Sequence, residues 1–176
     1  MTIDHLHQFP ELFEVDIQPG SFNSSLRSLV AFKEGQLMAH LIGMTKVPTK
    51  TWTSVQCGIG RSDHLELNST LVYANHSCSP NVIVDVGSID SSEWHFRALK
   101  DISPGDNLTF FYPSTEWDMT QAFDCACREA NCLKRIQGAR YLTRKQMEAR
   151  GFVNPHIVHL MEQQRDMDYK SSSLNL

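Results

Sequence analysis

Residues 75–81 read Asn75-His-Ser-Cys-Ser-Pro-Asn81. Two carboxamides, an imidazole, a thiol and two hydroxyls crowd into this stretch, and Pro80 fixes one backbone angle. Alone, it is compatible with a polar turn holding an incidental cysteine. Its surroundings give it more weight. Ala98-Leu-Lys-Asp-Ile-Ser-Pro104 leads into Gly105-Asp-Asn-Leu-Thr-Phe-Phe-Tyr112, a run of β-formers ending on a tyrosine. Beyond it, Cys125-Ala-Cys-Arg-Glu-Ala-Asn-Cys132 has the spacing C-x-C-x4-C. Thiolates are preferred zinc ligands, and a structural zinc takes four ligands in a tetrahedron. This run supplies three, so a fourth has to come from elsewhere in the chain.

Working outward, the first 112 residues show many short strand signals and almost no helix. Glu11-Leu-Phe-Glu-Val-Asp-Ile17 alternates and stops at the Pro19-Gly20 turn. Leu29-Val-Ala-Phe32 and Leu37-Met-Ala-His-Leu-Ile42 are apolar runs split by Glu34-Gly35, which suits a hairpin. Trp52–Cys57, Val82–Val86 and Trp94–Leu99 continue the series. Ser103-Pro-Gly-Asp106 has the proline and glycine of a type II turn. After residue 140 the pattern changes. Thr143-x-x-Gln146 is a capping box, Gly151 a helix stop, and Asn154-Pro155 an N-cap with a first-turn proline. Ile157, Leu160 and Met161 then share one helical face, and residues 170–176 read as a frayed polar tail. The fold class is mainly β with short C-terminal helices.

The chain has 176 residues, 41% hydrophobic and 20% charged. Those values suit one folded domain rather than a disordered or fibrous chain. A net charge of −4 argues against a dedicated nucleic-acid surface, so no direct nucleic-acid binding is expected. No apolar run reaches the length of a membrane span, and residues 1–10 lack the blocks of a signal peptide. Five cysteines, an odd number, suit a reducing compartment, so the expected location is intracellular, cytoplasmic or nuclear. The four Asn-x-Ser/Thr triplets, at Asn23, Asn68, Asn75 and Asn107, carry no secretory meaning in that setting. His5, His7 and the His156-x-x-His159 pair read as solvated polarity. The basic cluster Lys134, Arg135, Arg140, Arg144 and Lys145 reads as a solvated rim of the cysteine run.

On the Asn75–Asn81 motif and the strand closing at Tyr112, the chain resembles the SET family over residues 12–138. The resemblance implies a SET (β-clip-like) fold of several small sheets, followed by a post-SET zinc segment. It divides the chain into a SET domain at 1–120, a post-SET-like zinc segment at 121–140 and a C-terminal helical extension at 141–176. It implies S-adenosyl-L-methionine-dependent methyl transfer to a lysine of a protein substrate. The fourth metal ligand it implies is Cys78, which joins Cys125, Cys127 and Cys132 around a structural zinc. Cys57 is then left as a buried thiol. By the same resemblance Asn75 hydrogen-bonds the cofactor, the His76 backbone meets its adenine, and Arg27 and Ser28 lie along its methionine end. Tyr112 brings its hydroxyl to the transferring methyl.

The chain also departs from the family pattern. The family's early Gly-x-Gly corresponds to Ser25-Leu-Arg-Ser-Leu-Val-Ala31, with Ser28 nearest the second glycine. Side chains there restrict backbone angles and close approach. Leu41 stands where an active-site tyrosine is usual, and Asn107 and Phe111 replace acidic residues. These changes support two alternatives. One is a diverged SET scaffold acting on a small-molecule biosynthetic intermediate, by cyclisation or modification. The other is a non-catalytic binding module.

Overall fold

The computed structural model describes residues 9–20 and 23–173; the readings on His5, His7 and residues 174–176 lie outside them. The strands are short and grouped in small sheets. β1 (Phe13–Asp16) and β2 (Ser25–Ser28) pair antiparallel, with Phe13 opposite Ser28. β3 (Leu37–His40) lies beside β9 (His95–Ala98), which also carries β8 (Val82–Asp85). β4 (Thr45–Val47), β6 (His64–Glu66) and β5 (Val55–Gln56) form a third sheet, in that order. β7 (Asn75–His76) runs parallel to β10 (Thr109–Phe110). β11 (Phe123–Asp124) and β12 (Arg135–Ile136) close the cysteine-bearing loop antiparallel. Two helices follow, α1 (Arg144–Glu148) and α2 (Pro155–Ser173).

The expected hairpin over residues 29–42 does not form. Its turn is real: Gly35 has φ 80°, and the Gln36 N–H donates to the Lys33 carbonyl at 2.9 Å. The flanks, however, go to different partners. Phe32 pairs only with Ile102, and β3 pairs with β9. The strand before the turn is β2 instead, where Leu26 and Ser28 point inward and Ser25 and Arg27 are half-buried. With one apolar residue in four, β2 has no strand signature in the sequence. The type II turn does form, with Gly105 at φ 90° and the Asp106 N–H on the Ser103 carbonyl.

Apolar side chains gather in two clusters. The larger joins β1, β2, β3, β8, β9 and β10 through Phe13, Leu26, Met38, Val82, Val84, Phe96 and Phe110. The smaller is Phe111, Ala139, Met147 and Ile157, flanked by Trp117, Leu133 and Met161. It holds the helices against the chain that follows β10. Thr143 and Gln146 form the expected capping box of α1, and Gly151 ends that segment at φ 87°. α2 is longer than the sequence suggests, and its helical backbone includes residues 170–173.

Asn154 corrects another expectation. Its side chain does not cap α2 but turns into the protein, where Asn154 is fully buried. Oδ1 accepts the Val86 N–H at 2.9 Å, and Nδ2 donates to the Val84 and Ser114 carbonyls at 2.8 and 3.0 Å. It rivets the start of α2 to the end of β8 and to the turn after β10. Serine caps helices as well as asparagine does but cannot span that distance. Asn154→Ser should therefore destabilise the protein by about 1–3 kcal/mol, the cost of stranding buried backbone groups. Denaturant unfolding measures this, and an unchanged midpoint and slope would return Asn154 to simple capping.

Candidate functional site

The site is assembled where β7 meets β10. Asn75 lies opposite Thr109 and His76 opposite Phe110. Beyond the two-residue strand, the Ser77 N–H donates to the Phe110 carbonyl and the Asn81 N–H to the Thr109 carbonyl, both at 3.1 Å. Asn81 adds a side-chain clamp: Oδ1 accepts the Thr109 N–H at 2.8 Å, and Nδ2 donates to the Asn107 carbonyl at 2.9 Å. Both ends of the quoted motif are thus bound to the strand that closes at Tyr112.

Tyr112 is walled by aromatic rings, with centroids of Phe110 at 4.7 Å, His76 at 5.3 Å and Phe123 at 6.1 Å. Its hydroxyl donates to the Ala74 carbonyl at 3.2 Å. Burial pushes its pKa up to about 12, so at neutral pH it is a phenol that orients partners and not a base. Leu41 is buried in the main cluster, against which Tyr112 packs. Phe111 is buried in the smaller cluster, 5.5 Å from the His76 ring.

Asn75 is half-buried, and its Nδ2 donates to the Ser24 carbonyl at 2.8 Å. Among the described residues its carboxamide oxygen accepts no hydrogen bond, which leaves an acceptor suited to a ligand ammonium. Beside it, Ser25 Oγ donates to Asn107 Oδ1 at 3.2 Å. Ser24 is therefore the residue that meets Asn75, and Ser25 shares Asn107 with Arg27. Ser28 does not share the site. It is fully buried, its Oγ donates to the Val30 carbonyl at 2.7 Å, and its N–H and carbonyl are held by Asp106 and Gly105. Strand alternation turns it inward, where it has no polar group left for a ligand. Arg27 is on the opposite face; it pairs with Asp16 and reaches Asn107 Oδ1 at 3.4 Å.

The four cysteines converge. The sulfurs of Cys78, Cys125, Cys127 and Cys132 all lie within 4.8 Å of one another, with Cys78 and Cys125 at 4.0 Å. Zinc–sulfur bonds of about 2.3 Å place tetrahedral sulfurs about 3.8 Å apart, so the set fits a zinc ion. Backbone N–H groups of Leu133 and Lys134 donate to the sulfurs of Cys78 and Cys132 at 3.4 Å each, which favours thiolates. Burial acts to raise the pKa of Cys127, but hydrogen bonds from the Glu129 and Cys78 backbone and the Cys125 and Cys132 side chains hold it down to about 7. Burial raises Cys78, whose proton a metal would have to displace. Cys57 lies apart, with its thiol pushed up by burial.

His76 joins the two halves of the site. Its Nδ1 accepts the Tyr112 N–H at 3.2 Å, and its Nε2 lies 3.4 Å from Cys78 Sγ. Burial, reinforced by the positive charge of Arg150, lowers its pKa to about 3, so the ring is neutral. With Nδ1 accepting, the proton sits on Nε2 and faces the sulfur.

Around the site, one histidine departs from its sequence reading and one carboxylate, Glu116, had no sequence signal. His156 is buried, not solvated, and its Nε2 meets the Thr115 carbonyl at 2.9 Å; His159 is exposed as expected. Arg135, Arg140 and Arg144 pair with Asp124, Asp118 and Glu148 on the surface. Glu116 accepts the Gln56 N–H at 2.7 Å and ties β5 to the chain after Tyr112. Burial raises its carboxyl pKa from 4.5 to about 7.

The comparisons with known proteins follow this geometry. The SET domain family model matches residues 25–113. A protein called methyltransferase flvH from Aspergillus flavus is 42% identical over 86% of this chain and 82% of its own length. An H3 lysine-36 specific histone-lysine N-methyltransferase of Candida albicans is 35% identical over 43% of this chain but only 9% of its own. An H3 lysine-4 specific enzyme of Emericella nidulans is 36% identical over 34% of this chain and 5% of its own. Among solved structures, the methyltransferase domain of human SETMAR superposes with a TM-score of 0.53 at 14% identity, covering 72% of this chain and 58% of that one. KRYPTONITE in complex with mCHG DNA and SAH gives 0.52 at 21% identity, covering 70% and 29%. At such identities these structures establish the shared fold.

Two predictions follow from the site. The purified protein should carry about one zinc per chain by elemental analysis, and Cys78→Ser should lower both zinc content and melting temperature. Full occupancy in that variant would remove Cys78 from the ligand set. Because the folded state holds the Glu116 proton more tightly than the unfolded chain, its contribution to stability is complete below pH 4.5. It is lost as pH rises to about 7. Glu116→Gln keeps the acceptor for Gln56, so it should raise the melting temperature at pH 8 while leaving it unchanged at pH 4. An equal effect at both pH values would contradict the assignment.

Proposed function

The chain belongs to the SET-domain family, and from that premise we propose that it is an S-adenosyl-L-methionine-dependent methyltransferase whose acceptor is a lysine amine of a protein. The observation that carries this reading is Tyr112, a protonated hydroxyl fixed on the Ala74 carbonyl within an aromatic wall and next to Asn75. When bound, the cofactor supplies an electrophilic methyl on a sulfonium sulfur. Everything else falls to the protein. The free carboxamide oxygen of Asn75 would take the ammonium of the cofactor's methionine end, beside the Ser24 carbonyl. Tyr112 would orient the neutral amine by hydrogen bonding, without taking its proton. Phe110, Phe123 and the His76 ring exclude water, which favours an uncharged amine because burial disfavours the ammonium form.

Cys78, Cys125, Cys127 and Cys132 would hold a structural zinc in this reading, with residues 121–140 as the segment it folds. The likeness to flvH over 86% of this chain, set against the short stretches shared with the histone enzymes, keeps substrate choice distinct from fold. A second reading rests on Leu41. A buried aliphatic at that place leaves the Tyr112 surroundings poor in hydroxyls, which suits a small, less polar amine as acceptor.

Calorimetric titration with S-adenosyl-L-methionine, followed by methyl transfer to protein and to small-amine acceptors, separates these readings. No binding at millimolar cofactor would overturn both in favour of a binding module. Tyr112→Phe keeps the ring and its packing. It should reduce turnover by about tenfold or more while cofactor affinity stays near wild type, as expected for an interaction made only in the transition state. Undiminished turnover would make Tyr112 a core aromatic.

A further inference from the structure

Arg150 is a buried cation with an unusual set of partners. It is 8% exposed, and among the ion pairs of the described residues none involves it. Its Nη1 donates to the Gln146 carbonyl at 2.8 Å and its Nη2 to the Asn131 carbonyl at 2.7 Å, while its Nε is buried without a partner. The guanidinium lies 5.6 Å above the Phe111 ring. Burying an unpaired charge carries a penalty of several kcal/mol, and two carbonyls and a ring face only partly offset it. A full offset requires a negative charge nearby.

The surroundings indicate where that charge belongs. Asn131 immediately precedes Cys132, and its Nδ2 donates to the Cys78 carbonyl at 3.0 Å. Phe111, beneath the guanidinium, is 5.5 Å from His76, which in turn contacts Cys78 Sγ. Arg150 is therefore bonded to the loop that carries three of the four cysteines. Four thiolates around one zinc(II) ion carry a net charge of two negative.

We infer that Arg150 is the counter-charge of the four-cysteine metal site, a positioning residue through which the segment carrying α1 is fastened to the metal loop. The inference rests on the zinc reading above. The guanidinium is buried because the metal–thiolate cluster compensates it, and the cluster is held in turn by a cation from outside residues 121–140. Met147, on α1, is buried in the same small cluster as Phe111, so the charge and the apolar contact act at one place.

The test measures zinc affinity of the whole chain, by competition with a chromophoric chelator, for wild type, Arg150→Met and Arg150→Lys. Loss of a partner around a metal site typically weakens affinity by about 10–100-fold. Arg150→Met should show that loss, whereas Arg150→Lys keeps the charge and should stay within about threefold of wild type by the same measure. If Arg150→Met does not fold, Arg150→Gln replaces it, because it can still donate to the Asn131 carbonyl without the charge. Cobalt substitution adds a spectroscopic readout: the thiolate-to-cobalt charge-transfer band should shift in the uncharged variant and not in the lysine variant. Equal losses in both variants, or none in either, would overturn the counter-charge role. A wild-type protein that binds no zinc would overturn the zinc reading itself, a result the same titration separates from the first.

Discussion

The imidazole of His76 is the joint on which the rest of the site depends. One nitrogen accepts the Tyr112 N–H and the other approaches Cys78 Sγ, so a single ring fixes the end of β10 relative to the metal ligands. A charged imidazolium could not do this, because its Nδ1 would also donate and would meet the Tyr112 N–H donor to donor. Burial and the nearby Arg150 remove that state. The same ring contacts Phe111, Tyr112 and Phe123, which brings the smaller apolar cluster, the hydroxyl and the cysteine-bearing hairpin to one place. The position is next to Cys78 because the backbone of β7 must pair with β10 while the chain two residues on must deliver a ligand.

The legible parts of this arrangement were those encoded locally or by residues with few other uses. The motif at residues 75–81, the three closely spaced cysteines, the Ser103–Asp106 turn and the Thr143–Gln146 capping box all rest on short-range geometry, and the structure contains each. The four sulfurs do meet, although Cys78 is far from the others along the chain, because the motif supplied an independent reason to place it there. The misplaced elements were those decided by long-range contacts. The Glu34-Gly35 turn looks like a hairpin because turn chemistry cannot report which strands pair, and Phe32 and β3 found Ile102 and β9. Asn154 and His156 carry the side chains of a helix cap and a solvated helix face. Burial against β8 and the Thr115 carbonyl gave them other partners. Ser28 corresponds most nearly to the family's second glycine, but strand alternation turns it into the core and leaves Ser24–Ser25 beside Asn75.

Arg150 was the least legible, because an arginine after a short helix is ordinary and Glu148, the acidic residue beside it along the chain, pairs with Arg144 instead. Its partners are carbonyls and a ring drawn from three separate segments. Only the folded chain shows that, among the described residues, no carboxylate forms an ion pair with it.

These contacts also tie the four-cysteine cluster to the geometry around Tyr112. Phe123 sits two residues before Cys125, on the strand that opens the hairpin holding three of the four ligands. Its ring is 6.1 Å from Tyr112 and 5.7 Å from His76. β11 and β12 are two residues long, so the pairing of Phe123 with Ile136 and Asp124 with Arg135 is too short to be stable alone. The hairpin is held against the rest of the protein by the hydrogen bonds of Asn131 with the Cys78 carbonyl and Arg150 and by Ile136 packing into the interior, and in the proposed zinc reading by the sulfur cluster at its end. On that reading, the wall around the Tyr112 hydroxyl is set in part by thiolate chemistry several residues away. A ligand set that borrows Cys78 from the β7 loop, rather than taking all four cysteines from the hairpin, binds that wall to the strand it must face.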